Sequence, residues 1–359
     1  MLVPKAEELI MAPYRHQKDK EAAKAFFEAG MRQFFENARR CSHPDYPMTV
    51  FYAYKQQTSV QISDEALEDE AESPLPSPYG NARASSGWET MLSGLIQAGF
   101  SVVGTYPMRT ESRARLRAQK SNALASSVVL VCRPRPEKAP SALLSEFLQA
   151  LREELPLALR ELQKSNIAPV DLAQAAVGIG IKVYSSYSSV YSAKGRVVGV
   201  AEALAIINRV LDEYFEKIEA ALDTPSRLAV NWFRIYGFSK SDYGHFETLV
   251  KAKNVYGEDI ESIFDCEKGN ARLRDLSFYY DRISSPNDSA WVALHILCSK
   301  LVKSGILETM DSLYSYEASL VSSCKNLAYT LYHICESNRW AREGELYNYF
   351  LQSCSLLRA

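Results

Sequence analysis

The chain has 359 residues, with 41 Lys and Arg against 43 Asp and Glu and a formal net charge of −2. At about 150 residues per domain this length suits two domains, each large enough to bury a core. The balanced charge excludes a wholesale polycation, so any nucleic-acid contact must come from a local patch.

No window approaches the roughly 18 consecutive apolar residues of a bilayer crossing, and no charged-then-apolar leader follows Met1, so the expected location is the cytoplasm, with no membrane partner. The seven cysteines (41, 132, 266, 298, 324, 335 and 354) never take C-x-x-C spacing. They read as reduced, mostly buried thiols, with neither a zinc site nor a disulfide framework. The chain enters structured-looking sequence soon after Met1-Leu2-Val3-Pro4, which suggests that something precedes it.

Residues 18–41 predict a helix: Ala22, Ala23, Phe26, Phe27, Met31, Phe34 and Phe35 keep one face at the 3.6 period. His43-Pro44-Asp45-Tyr46-Pro47 stops it, because two prolines in five residues cannot continue a helix. The apolar run at 48–54 predicts a strand buried on both faces, as in a parallel sheet. From about 60 to 86 the chain reads as a solvated loop, with six acids and no base between Asp64 and Glu72, then Pro74, Pro76, Pro78 and Gly80. A short helix then runs from Gly87-Trp88-Glu89 to a glycine cap at Gly99.

Residues 100–106 and 126–132 predict two further strands, paired antiparallel because no crossover helix separates them. Pro134, Pro136 and Pro140 mark a boundary, giving an α/β domain over 1–139 and a mainly helical domain over 140–359. Helices are expected at about 141–164, 201–222, 225–236, 289–304, 317–336 and 339–355. One hairpin, Ile181–Tyr187 with Val197–Val200, is expected around a turn near Lys194-Gly195. Gly178-Ile179-Gly180 reads as the turn leading into that hairpin.

No nucleotide-loop, nucleophile-elbow or HExxH motif occurs, so no local catalytic constellation is visible. The five histidines show no ligand spacing; His295 and His333 lie in apolar helices and read as core or interface residues. The positive signal is a basic segment. Arg109, Arg113, Arg115, Arg117 and Lys120 face one acid, Glu111. Between two strands they form either a protruding cationic loop able to neutralise phosphates or a simple solvated loop. Trp88 is a core anchor or, less readily, a base-stacking surface.

Several longer stretches carry a resemblance: Ala12-Pro13-Tyr14-Arg15-His16, Tyr52-Ala53-Tyr54-Lys55, Gly87-Trp88-Glu89-Thr90, Gly104 to Glu111, Asn122 to Ser127, Val131 to Pro136, and Asn166 to Ala176. Over essentially its whole length the chain resembles the C-terminal part of the zinc-ribbon-containing adenine-specific DNA methylases, proteins linked to restriction and phage defence. The resemblance implies strands 5, 6 and 7 of a Rossmann-like class I methyltransferase sheet at 48–54, 100–106 and 126–132. It also implies an S-adenosylmethionine cofactor for the complete enzyme.

The Gly-rich cofactor loop, the (Asp/Asn)-Pro-Pro-(Tyr/Phe) motif for a flipped adenine and the zinc ligands are absent from this chain, which holds no Pro-Pro dipeptide. No catalytic, cofactor-binding or metal residue is therefore carried over. Arg109, Arg113, Arg115, Arg117, Lys120 and Asn122 are the expected DNA contacts. The expected partners are DNA and the missing N-terminal methyltransferase half or a partner chain. The alternatives are a non-catalytic DNA-binding or scaffold subunit working with a separate methylase or nuclease, and a helical adaptor built on 140–359.

Overall fold

The computed structural model describes residues 8–52, 86–109, 126–165, 167–253, 255–285 and 288–356. Two compact units divide them. The first lies within 1–113, 124–160 and 173–211, and the second within 161–172 and 212–359. The chain is α/β at its N-terminal end and mainly helical thereafter.

In the first unit, helix α1 (Lys20–Cys41) starts where the Asp19 carboxylate accepts the N–H groups of Glu21 and Ala22, satisfying two of the donors a helix start leaves free. Strand β1 (Met48–Tyr52), helix α2 (Ser86–Gln97), strand β2 (Phe100–Arg109) and strand β3 (Ser126–Pro134) follow. Gly99 ends α2 at φ +85°, the left-handed conformation that a glycine adopts without penalty.

The three strands form one sheet in the order β1-β3-β2, with β3 antiparallel to both neighbours. β1 and β2 therefore run parallel to each other, with α2 in the connection between them. The expected antiparallel pairing of 100–106 with 126–132 is present. The expectation that 48–54 is buried on both faces is corrected: burial alternates along β1, and Phe51 is 57% exposed. β1 is an edge strand among the described residues, so only one of its faces meets a packed layer. Residues 53 and 54, and the acidic segment to residue 85, lie outside the described residues.

Beyond β3 come β4 (Ala142–Leu143), α3 (Leu144–Lys164), α4 (Pro169–Ser186), β5 (Val190–Tyr191) and α5 (Val200–Ala220). β4 and β5 pair in parallel over two residues. The expected strand at 181–187 is instead the last part of α4. Its β-branched residues bury in helical register with Leu172, Ala175 and Ala176, and packing overrides their strand preference. A hairpin does close around Lys194-Gly195, but on shorter arms: Val198 N–H donates to Val190 O, and Tyr191 bridges Val197.

Gly178 and Gly180 are not a turn. They sit inside α4, where an added Cβ would come within 2.8 Å of the Thr105 side chain and 2.4 Å of Ile207 Cγ1. The glycines serve close helix approach.

The second unit carries α6 (Thr224–Tyr236), β6 (Ser241–Asp242), α7 (Tyr243–Lys253), α8 (Glu258–Ile263), β7 (Phe264–Glu267), β8 (Asn270–Leu273), α9 (Ala290–Lys303), α10 (Ile306–Tyr314), α11 (Ala318–Asn338) and α12 (Ala341–Leu356). A second antiparallel sheet, in the order β6-β8-β7, adds a hairpin that the sequence reading lacks. Helix α9 is buried almost all round, from Ala290 to Ser299. Asp223 joins it to α6: its carboxylate accepts Ser226 N–H, Ser226 O–H and Ala290 N–H, while Ser226 Oγ accepts Trp291 N–H. None of the described helices is long and apolar enough to cross a membrane.

Candidate functional site

The basic segment leaves the sheet at the open end of the β2–β3 pair, where Arg109 stands opposite Ser126. Ten residues of β2 against nine of β3 form the stem, which shifts register between Val102 and Gly104. Arg109 closes β2. Arg113, Arg115, Arg117, Lys120 and Asn122 lie outside the described residues, as does Glu111.

Cross-strand partners share a face, which sorts the sheet. Val50, Leu130 and Thr105 line up on one face, with Tyr52 and Val128 beside them. This is the packed face: Tyr52 stacks on Trp88 of α2, ring centroids 5.0 Å apart, and Thr105 meets α4 at Gly178. Trp88 is fully buried, so it is a core anchor and offers no face to a base.

On the other face Phe51, Val129 and Tyr106 line up across the three strands. Phe51 is 57% and Tyr106 60% exposed, and Met108 continues the row at 47%. Gly104 belongs to this arrangement, since a Cβ there would come 3.2 Å from the Tyr106 ring. Among the described residues β1 thus has an unpaired edge, and the face beside the stem of the basic segment is exposed at its rim residues while its central Val129 is buried. Sequence reasoning found the segment. It missed the exposed face, because an apolar run reads the same whether both faces or one are covered.

No cluster of His, Cys, Asp and Glu suited to a metal ion occurs among the described residues. His295 is fully buried, with Nδ1 2.8 Å from Trp291 O and Nε2 3.1 Å from Tyr347 Oη. Burial drives its pKa down to about 4, against the backbone hydrogen bond that acts the other way, so the ring stays neutral. His333 Nε2 lies 2.9 Å from Asp212 Oδ1, and its ring stacks on Phe215 at 4.4 Å. His295 thus lies in the core, and His333 lies between Phe215 and Asp212.

The seven cysteines are free, with Cys41 and Cys266 exposed and the other five buried. Desolvation pushes Cys132 and Cys324 up to about 12 and Cys354 up to about 11, and raises Cys298 and Cys335 as well. Thiols so far from ionisation are poor nucleophiles near neutral pH.

Residues 223–358 match the model of a domain of unknown function (DUF8807); the match begins at Asp223, the N-cap of α6, and extends past the end of α12. No curated protein and no solved structure matches the chain.

Proposed function

We propose that the chain is the DNA-contacting, sheet-completing C-terminal part of an S-adenosylmethionine-dependent adenine-N6 DNA methyltransferase of the restriction or phage-defence type. The observation that carries this reading is the β1-β3-β2 sheet. A strand, a crossover through α2 and a parallel strand, followed by an antiparallel return, is the ending that a class I methyltransferase sheet requires of this resemblance. The chemistry class rests on the resemblance of the long motifs to those of the adenine-specific methylases.

The residues present do not fit the cofactor. The sequence has neither a Gly-rich loop nor an Asp-Pro-Pro-Tyr motif, and the best-placed aromatic residue, Trp88, is already covered by Tyr52. Cofactor and flipped adenine are assigned to a complementary half that pairs along the open edge of β1. In this chain's share of the work, the basic segment from Arg109 to Lys120, with Asn122, holds phosphates. In sequence the segment joins β2 to β3, so phosphate binding there would orient the sheet relative to the duplex.

Duplex binding as a function of salt tests this share. With the Arg113→Ala, Arg115→Ala and Arg117→Ala changes made singly, the logarithmic salt slope falls by about one per lost phosphate contact. No binding at low salt removes the DNA role. Binding with full slope in all three variants moves the contact elsewhere.

A further inference from the structure

We infer that the open face of the β1-β3-β2 sheet stacks bases of single-stranded DNA on Tyr106 and Phe51, with Arg133 beside them on a phosphate. The choice of DNA as the occupant rests on the DNA contact proposed above. The site itself rests on the rows of this face. Phe51, Val129 and Tyr106 form one row, and Thr49, Val131 and Gly104 form the next. Arg133 follows two residues further along β3, on the same face.

Tyr106 does not stand straight out from the sheet. Its Cε2, Oη and Cζ come 3.2, 3.4 and 3.6 Å from where a Cβ of residue 104 would be. The ring therefore leans along β2 across Gly104, towards the row of Arg133, and the missing side chain at 104 leaves it room. It is held in this posture and yet 60% exposed. Phe51 stands two strand spacings away, about 10 Å across the sheet, with the buried Val129 between the two rings. Among the described residues neither ring has an aromatic partner, whereas Tyr52 on the packed face is covered by Trp88.

The charge of this face suits phosphate. Arg133 is exposed, and its Nη1 donates to Asp45 O at 3.0 Å, which fixes the side chain without neutralising it. Among the described residues its guanidinium makes no ion pair. The rows hold no acid. Asp45 lies at the Arg133 end, with its carboxylate 3.8 Å from His43 Nδ1, and past β3 the charges of Glu137 and Lys138 offset one another. In sequence, β2 runs on into Arg113, Arg115, Arg117 and Lys120 against Glu111, while the acids of 64–72 come further along the chain from β1. Exposed rings beside cations form a stacking platform for unpaired bases, since every base has a π face and every nucleotide a phosphate. A duplex keeps its bases stacked on one another, so it does not use the rings.

The test uses the full chain, a labelled oligothymidine of about 12 bases and the matching duplex. Fluorescence anisotropy should show single-strand binding weakened about fivefold or more by Tyr106→Leu and little changed by Tyr106→Phe. Arg133→Ala should lower the single-strand salt slope by about 0.7. Duplex binding should be the same in Tyr106→Leu as in the native chain. A strand carrying 5-iodouracil, irradiated on the native chain, should cross-link to Tyr106 or Phe51 by mass spectrometry, a readout that needs no variant. Unchanged single-strand binding in Tyr106→Leu, cross-links confined to other residues, or equal loss of both DNA forms in Tyr106→Leu would each overturn the inference. If duplex binding then still depends on Arg113, Arg115 and Arg117, the proposed DNA contact stands and this site alone is removed; binding of neither form removes both.

Discussion

Tyr52 of β1 stacks on Trp88 of α2, with ring centroids 5.0 Å apart and planes 29° apart. One ring belongs to β1 and the other to the helix that precedes β2, so the pair ties α2 to the sheet. Trp88 is fully buried beside Met91, Leu92 and Leu95. Trp88→Ala should lower stability by about 3–5 kcal/mol, as for other buried aromatic truncations. Urea denaturation followed by far-UV circular dichroism measures it, and a loss below 1 kcal/mol would mean that α2 is held by other contacts.

Gly180 separates two opposed expectations. In an exposed helix, Gly→Ala stabilises by about 1 kcal/mol. Here the new Cβ would come within 2.4 Å of Ile207 Cγ1 and within 2.7 Å of two further atoms of that side chain. Gly180→Ala should therefore destabilise, by about 1–3 kcal/mol as for other overpacked cores, and thermal melting gives the sign directly.

His295 gives the fold a pH dependence. Its folded pKa is about 4, lowered by burial from an ordinary value near 6.5. The unfolded chain thus binds the proton more readily than the folded one between those values. Stability is unaffected by this group above pH 6.5 and falls as pH drops towards 4, by ~3 kcal/mol in all. His295→Gln should be less stable at pH 7.5 yet lose less on acidification to pH 5, as denaturant midpoints at the two pH values will show. Parallel losses in both proteins would mean that other groups carry the dependence.

The edge of β1, unpaired among the described residues, and the exposed side chains beside it should make the isolated chain self-associate or aggregate. An unpaired strand edge with exposed apolar side chains invites pairing, and an added charge discourages it. Phe51→Lys changes a residue that is already 57% exposed and should raise the monomer fraction in light scattering with little loss of melting temperature. A wild-type chain that is a sharp monomer would show that the edge is protected.

Much of this architecture is legible in the sequence, and the failures have physical causes. Helix α1, the strands at 100–106 and 126–132, and six later helices follow from periodicity and from Pro and Gly punctuation, although of the expected α1 face only Ala23 and Phe35 are buried and Phe34 is exposed. Ile181, Val183 and Tyr184 read as a strand because of their side chains, but α4 buries them as a helix face. Gly178 and Gly180 read as a turn because glycine usually punctuates, whereas here it lets a helix approach Thr105 and Ile207. The β7–β8 hairpin had a local signal in Lys268-Gly269, whose positive φ values suit a tight turn, yet its short arms of mixed charge show no alternation. Of the candidate site, the basic segment was visible as charge. The Phe51–Val129–Tyr106 row was not, because which face of a strand is covered depends on its neighbours.

On the proposed function, this chain completes a methyltransferase whose cofactor loop and Asp-Pro-Pro-Tyr motif lie on a complementary half. The most direct measurement is transfer of labelled methyl from S-adenosylmethionine to duplex adenine. It would be made with this chain alone, with a complementary methylase half that carries the cofactor loop and the Asp-Pro-Pro-Tyr motif, and with the two co-expressed. Transfer should occur only with the pair and should fall with Phe51→Lys in this chain. Transfer by this chain alone, or by the complementary half at a rate this chain does not change, would contradict it.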